Sequence, residues 1–269
     1  MLAKEAMGEA RRARRATLAG RTSRAAATIA DVTTRQFLVR ATAAAGHRLT
    51  RLSARLDHKP PAGAPTQSTG KTLAGDREIE WTWTLAHLRR DRGRVLDFGS
   101  GNGMMALGAA FAGHDVVAVD LEPEQYPFHP DRIEYVQGDL NELELEPQSF
   151  DQVINCSTVE HVGLAGRYGS PDDPDGDLRA MAKMARLLKP DGDMVLTIPV
   201  GRDAVHRPLH RIYGPERLPR LLEHWQVREE QYWAKPTDDR FEPVTREQAL
   251  DEAGARSYYA LALFVVVPR

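Results

Sequence analysis

The stretch RVLDFGSGNG, residues 94–103, constrains the fold of this chain more than any other. An apolar run ends at Asp97, and glycines then stand at every second position, Gly99, Gly101 and Gly103. Glycine permits a sharp turn and lets backbone approach a bound group closely. MMALGAAFAG follows as a helix, with Gly113 just past its end. The pattern then repeats. HDVVAVDLEP is an apolar strand closing on Asp120, RIEYVQGDL ends near Asp139, and SFDQVINC is a fourth strand. GDLRAMAKMARLLKPDG reads as an amphipathic helix closed by a Pro-Asp-Gly turn, DMVLTIPVG as a fifth strand, and YGPERLPRLLEHW as another helix. QVREEQYWA and YALALFVVVP finish with two strands. Apolar strands alternating with helices imply an α/β fold, a mostly parallel sheet with both faces covered. Such sheets bind ligands beyond the carboxyl ends of their strands. Asp97 with its glycines, Asp120, Asp139 and the pair Glu160-His161 all fall at such ends.

The rest of the chain sets bounds. Its 269 residues, 42% hydrophobic and 28% charged, suit one large domain or one domain with an appendage. No apolar run reaches the ~20 residues of a membrane span. The basic N-terminus lacks the apolar core and cleavage site of a secretory signal, so a cytoplasmic protein is expected. A single cysteine, Cys156, excludes an internal disulfide and a cysteine-cluster zinc site. Net charge is −2, but residues 1–59 carry 13 Lys/Arg against 4 Asp/Glu. Apolar spacing there (Ile29, Val32, Phe37; Leu49, Leu52, Leu56) reads as amphipathic helices. Residues 1–70 are thus expected to be a basic helical extension ending in the linker KPPAGAPTQSTG, with the catalytic domain over 71–269. These helices either cover the core or pair two subunits as a homodimer; a membrane-surface arm is the other reading. Nucleic acid is not an expected partner, because no aromatic residues are interleaved with the arginines.

The glycine turn selects among ligands. A dinucleotide fingerprint is G-x-G-x-x-G, but here Gly103 follows Gly101 at two residues and Met104 stands where the last glycine belongs. No G-x-x-x-x-G-K-[ST] is present. Asp120, 17 residues after Gly103, can accept both ribose hydroxyls, and Asp139 is placed to meet an adenine amino group. With these residues in this order the chain resembles the class I S-adenosylmethionine-dependent methyltransferases, over roughly residues 76–269. The resemblance rests on Asp97, Gly99, Gly101 and Gly103, on Asp120, on Asp139-Leu140, on Phe150–Cys156, and on LLKPDGDMVLT at the start of strand five. It implies a Rossmann-like seven-stranded sheet in the order 3-2-1-4-5-7-6 with the last strand antiparallel. It also implies S-adenosylmethionine as donor, held by Asp97, Gly99, Ser100, Gly101, Asp120, Leu121, Asp139, Leu140 and Cys156.

The stretch NCSTVEHVGLAGRYGSPDDPDGD, residues 155–177, carries the chemistry. An alcohol acceptor needs a general base, or a metal that lowers its pKa. His161 lies just past strand four, and VGRDAVHRPLHRIYG after strand five offers Asp203, His206 and His210. Three readings stay open. His161 or His210 is the base; or Glu160, His161 and His206 hold Mg²⁺ or Mn²⁺; or the histidines only shape the pocket. Glu160-His161 resembles the metal-binding Glu-His of some small-molecule and RNA 2′-O-methyltransferases, but their further carboxylate is replaced here by Ser157. The aspartates of SPDDPDGD are turn formers, with Asp175 or Asp177 as a helix cap; Asp172 and Asp173 are candidates for binding a polyhydroxyl acceptor. Arg167 and Tyr168 could pack on a sugar ring. Trp81, in DREIEWTW, either closes over the site or packs with Trp83 in the core. The segment also looks like methyltransferases of glycan assembly, and more distantly like the O-methyltransferases of methylmannose polysaccharides, which implies a sugar or oligosaccharide hydroxyl as acceptor. Other small-molecule hydroxyl or carboxyl acceptors, and a non-catalytic partner protein that binds the donor, are the competing readings.

Overall fold

The structure is a computed structural model that describes residues 73, 75–123, 130–166, 172–235, 240–255 and 259–269. The expected helices of residues 1–70 and their linker, with the dimer assigned to them, lie outside the described residues, as do Arg167 and Tyr168.

Helix α1 (Asp76–Ala86) opens with Asp76 and Glu78 in its first turn, where carboxylates favour the positive helix end. Strand β1 (Arg94–Phe98) passes through the glycine turn into helix α2 (Met104–Phe111). Strands β2 (Asp115–Asp120), β3 (Ile133–Gln137) and β4 (Phe150–Cys156) follow, and a single 3₁₀ turn spans Val159–His161. Helix α3 (Gly176–Leu187) leads into the long strand β5 (Leu188–Val200). A hairpin of β6 (Ala204–His206) and β7 (His210–Ile212) precedes the short helix α4 (Arg217–Leu221). Strand β8 (Trp225–Ala234), strand β9 (Glu242–Val244), helix α5 (Arg246–Asp251) and strand β10 (Ala260–Pro268) complete the chain.

The main sheet has the order β3-β2-β1-β4-β5-β10-β8-β9. β1 to β5 run parallel, and β10 is antiparallel to both β5 and β8. The seven strands expected from the sequence keep their expected order, but the count is corrected to eight. Glu242–Val244 adds a short antiparallel edge strand on β8. β6 and β7 form a separate two-stranded sheet.

Period-two alternation sorts the sheet into two cores. Val95, Val116, Ala118 and Ile154 face one side and pack on Met105, Ala106, Ala109 and Ala110 of α2. Leu96, Val117, Val119 and Val153 face the other and pack on Ala180, Met181, Met184 and Leu187 of α3. The small alanines of α2 let that helix lie close to the sheet, which fixes the glycine turn at its start.

Two element boundaries differ from the sequence expectation. The helix before strand five stops at Leu187, and Lys-Pro-Asp-Gly belongs to β5. Pro190 biases Lys189 away from helical dihedrals, and Leu188 is already extended with φ −71° and ψ 141°. The helix expected over 213–225 shrinks to Arg217–Leu221, because Tyr213 bridges to Val200 and buried Trp225 begins β8. Among the described residues, no helix is long and apolar enough to cross a membrane.

Candidate active-site cleft

A cleft of about 360 Å³ opens beyond the carboxyl ends of β1 to β4, within the size range of small-molecule sites. Its first wall is the glycine turn. Gly99 has φ 71°, and a Cβ there would lie 2.1 Å from the Thr158 side chain. The Gly99 and Ser100 amides donate to the Val119 carbonyl at 2.8 and 3.1 Å, tying the turn to β2. A Cβ on Gly101, by contrast, would meet only the Gly99 carbonyl, at 3.9 Å, so this backbone is open to a ligand.

The acids expected at the strand ends are in place. Asp120 accepts from the Gly101 amide at 2.8 Å through Oδ2 and from the Glu122 amide at 2.9 Å through Oδ1. These bonds fix its carboxylate at the mouth of the cleft. Asp139 accepts from the Asn141 amide at 2.9 Å, and neighbouring Leu140 is buried. Asp97 is 2% exposed, and its Oδ2 has no hydrogen-bond partner. Burial pushes its carboxyl up to about 7. A buried oxygen without a donor is costly, and this one belongs to a cleft-wall residue. Ser100, Leu121 and Cys156 also line the cleft. Burial pushes the Cys156 thiol up to about 12, so it is wall and not nucleophile.

At the far end stands His161. Asn155 Oδ1 accepts from the Val159 amide at 3.2 Å, and the His161 amide donates to the Thr158 carbonyl at 2.9 Å, closing the 3₁₀ turn. His161 lines the cleft. Its Nδ1 lies 2.5 Å from the Leu209 carbonyl. A carbonyl only accepts, so Nδ1 carries the proton and the neutral ring has its lone pair on Nε2. Glu160 Oε1 is 3.6 Å from Nε2. Glu160 is 3% exposed, its Oε2 has no hydrogen-bond partner, and burial pushes its carboxyl up to about 7. It faces inward and is not part of the cleft wall.

The expected metal set is not assembled. Among the described residues, no three His, Cys, Asp or Glu side chains form a metal-holding group. His206 Nε2 pairs with the Gly254 carbonyl at 2.8 Å, and His161 Nδ1 is committed to Leu209. The His206 bond commits the Nε2 of that ring to Gly254, and Glu160 with His161 Nε2, 3.6 Å apart, supplies only two ligands, so the described residues do not form a site for Mg²⁺ or Mn²⁺. His210 sits between His161 and His206, its ring centroid 6.4 and 5.7 Å from theirs, and is not a cleft-wall residue. Asp203 is a backbone cap for α4, accepting from Gly214, Glu216 and Arg217 amides.

The aspartate loop is likewise structural. Asp172 is paired with Arg207 and Asp173 with Arg179, which holds the Asp173 carboxyl below its usual range. Neither lines the cleft, so the structure does not bring them to the donor-side wall with Asp120 and Asp139. Asp175 holds the N-cap position of α3 without a side-chain cap bond. Asp177 is fully buried, bonded to Arg217 Nε at 2.9 Å and to the Tyr213 hydroxyl at 3.1 Å. Arg211 donates to the carbonyls of Val162, Asp173 and Pro174. This network pins the β6–β7 hairpin, and therefore the Leu209 carbonyl, against His161.

Helix geometry separates the two tryptophans. Two residues apart is about 200° around a helix, so Trp81 faces the cleft while Trp83 is buried in the core. Two neighbours on this helix, Arg77 and Glu80, are not among the residues expected from the sequence. Arg77 lines the cleft. Glu80 is fully buried, accepting from Arg77 Nη1 at 3.2 Å, Thr197 Oγ1 at 3.1 Å, and Ser157 Oγ. The one sequence signal for it is its place beside Ile79 on the buried face of an amphipathic helix.

Against known proteins, residues 132–248 match a family described as Caenorhabditis protein of unknown function, DUF268. A probable S-adenosylmethionine-dependent methyltransferase of Mycobacterium tuberculosis is 27% identical over 190 residues, 61% of this chain and 64% of that one. The chain therefore spans just under two thirds of that relative's length. A ubiquinone biosynthesis O-methyltransferase of Cereibacter sphaeroides is 33% identical over 109 residues, 38% of this chain and 39% of that one. The crystal structure of Burkholderia thailandensis 1,6-didemethyltoxoflavin-N1-methyltransferase, bound to 1,6-didemethyltoxoflavin and S-adenosylhomocysteine, superposes with a TM-score of 0.51 at 22% identity, covering 72% of this chain and 80% of that one. The chain has the class I S-adenosylmethionine-dependent methyltransferase fold.

Proposed function

We propose that the chain is an S-adenosylmethionine-dependent methyltransferase acting on a hydroxyl of a ring-shaped polar acceptor, a sugar or oligosaccharide such as a mannoside. The observation that carries this reading is the pairing, in one cleft, of a cation-receptive wall with an oriented imidazole. Asp120, Glu122 and Asp139 give the β1–β3 side negative charge, which complements a cationic donor. The Asp97 oxygen without a partner and the open backbone at Gly101 fit the donor's amine and its main body respectively. Asp120 retains acceptor capacity for ribose hydroxyls beyond its two backbone bonds, while Leu140 and Asp139 flank an adenine. The mycobacterial and ubiquinone-pathway relatives support the class of reaction.

When bound, the donor supplies an activated methyl on sulfonium sulfur, so the chain's own task is positioning and proton removal. The acceptor oxygen forms the new C–O bond as the C–S bond breaks, and the thioether leaves neutral. His161 Nε2 takes the hydroxyl proton. The Leu209 carbonyl keeps the ring in the tautomer that can do so, and Glu160 at 3.6 Å stabilises the imidazolium that results. No step requires a divalent ion.

A methylation screen over mono- and oligosaccharides, with phenols as a second set, tests this directly. The expected result is labelled-methyl transfer to a sugar hydroxyl that is unchanged by chelator and falls by roughly 10²-fold or more in H161A, with S-adenosylhomocysteine affinity preserved. Equal losses of turnover and donor affinity in H161A would remove the base assignment. Methylation confined to phenols would replace the sugar acceptor.

A further inference from the structure

Glu80 is a buried acid that the reading above does not use. It lies fully buried on α1, behind two cleft-wall residues, Arg77 and Ser157. Burial makes its charge costly. An apolar side chain next to Ile79 would fill the position without that cost, so packing alone does not account for a carboxyl here. Its two oxygens are divided. Oε1 accepts from Thr197 Oγ1 at 3.1 Å and from Ser157 Oγ, which ties it to β5 and to the end of β4. Oε2 accepts from Arg77 Nη1 at 3.2 Å. Ser157 has φ 51°, in the left-handed region that a serine seldom adopts, and its amide donates to Thr197 Oγ1 at 3.1 Å. The two hydroxyls thus meet at one carboxyl oxygen and leave the other to the guanidinium.

Arg77 is, among the described residues, the only lysine or arginine lining the cleft. Its side chain is half exposed. An arginine left to itself there samples many rotamers, and losing that freedom on binding weakens a contact. The Glu80 bond removes the freedom beforehand and leaves further N–H donors for a ligand. The amino-acid end of the donor carries a carboxylate beside its ammonium. With the ammonium at Asp97, the carboxylate is the group a guanidinium on this wall receives, since the fork suits two-point contact with it. We infer that Glu80 is a positioning residue for donor binding, holding the Arg77 guanidinium toward the donor's carboxylate from an anchor on Ser157 and Thr197. The inference rests on the methyltransferase reading and gives Glu80 no contact with the donor itself.

The test titrates the full chain with S-adenosylhomocysteine and with 5′-methylthioadenosine, the same nucleoside thioether without the amino-acid end. Wild type, E80Q, R77Q and the double variant are compared at about pH 6, where Glu80, pushed up to about 7 by burial, is mostly protonated and E80Q alters the bond more than the charge. The single amide oxygen of glutamine stays with the Thr197 and Ser157 hydroxyls, so its NH2 faces the guanidinium, donor against donor. E80Q should weaken S-adenosylhomocysteine by roughly fivefold to tenfold and R77Q by about tenfold or more. The double variant should be no weaker than R77Q, and 5′-methylthioadenosine should bind all four proteins within about twofold. An E80Q or R77Q protein that binds S-adenosylhomocysteine as the wild type does overturns the inference alone, as do losses that add in the double variant. Equal weakening of both ligands in E80Q, the mark of a merely structural role, also overturns it. A wild type that fails to bind S-adenosylhomocysteine overturns the methyltransferase reading, and the inference with it.

Discussion

Replacing Glu80 by glutamine should remove a loss of stability that the wild type suffers as pH rises toward neutrality. Glu80 is fully buried, and burial is the largest influence on its carboxyl, raising it from 4.5 to about 7. The Arg77 ion pair at 3.2 Å and the Ser157 hydroxyl act in the opposite direction and are outweighed. Because the folded state holds this proton more tightly than the unfolded chain, it carries more protons between pH 4.5 and about 7. Stability from this group is therefore present below 4.5, declines as pH rises through that window, and is lost above it. A rise of that size corresponds to roughly 3 kcal/mol. Glutamine has the same shape, keeps an oxygen for the Thr197 and Ser157 hydroxyls, and does not titrate. Urea denaturation of both proteins at about pH 5 and about pH 8 should show E80Q gaining on the wild type by roughly 2–3 kcal/mol between the two. A difference that stays constant with pH, or one that moves in favour of the wild type as pH rises, refutes the claim that desolvation dominates over the Arg77 pair.

Other substitutions probe the frame of the site. G99A forces a side chain into a backbone at φ 71° and against Thr158; it should cost about 2–4 kcal/mol in chemical denaturation and abolish donor binding. D177A strands the buried Arg211 charge and removes one partner of the partly buried Arg217, and should destabilise by about 3–5 kcal/mol, read from urea denaturation curves. Dialysis against a chelator should leave methyl transfer unchanged, since Glu160, His161 and His206 are not assembled around one centre; activity that disappears and returns with Mg²⁺ would contradict that geometry.

The parts of the site legible in the sequence are those fixed by local pattern. Apolar strands announce their own ends, so pattern alone puts Asp97, Asp120, Asp139 and His161 at the sheet's carboxyl edge, where all four line the cleft. What fails depends on partners far along the chain. Asp172 and Asp173 look like free acceptors until Arg207 and Arg179 are brought to them, and His206 looks like a ligand until Gly254 meets its ring. Glu80 gives little local signal because a glutamate in a helix is ordinarily solvated; its burial makes sense only with Thr197, 117 residues away, and Ser157 beside it. The edge strand Glu242–Val244 contains Pro243 and only three residues, a pattern that gives little strand signal by itself.

Calorimetric titration of S-adenosylhomocysteine into the wild type and D120A tests most directly whether the cleft over β1 to β4 is a donor site. One-to-one binding that D120A weakens by about tenfold or more, with its fold intact, is the predicted result. No binding to the wild type, or equal affinity in the two proteins, would contradict it.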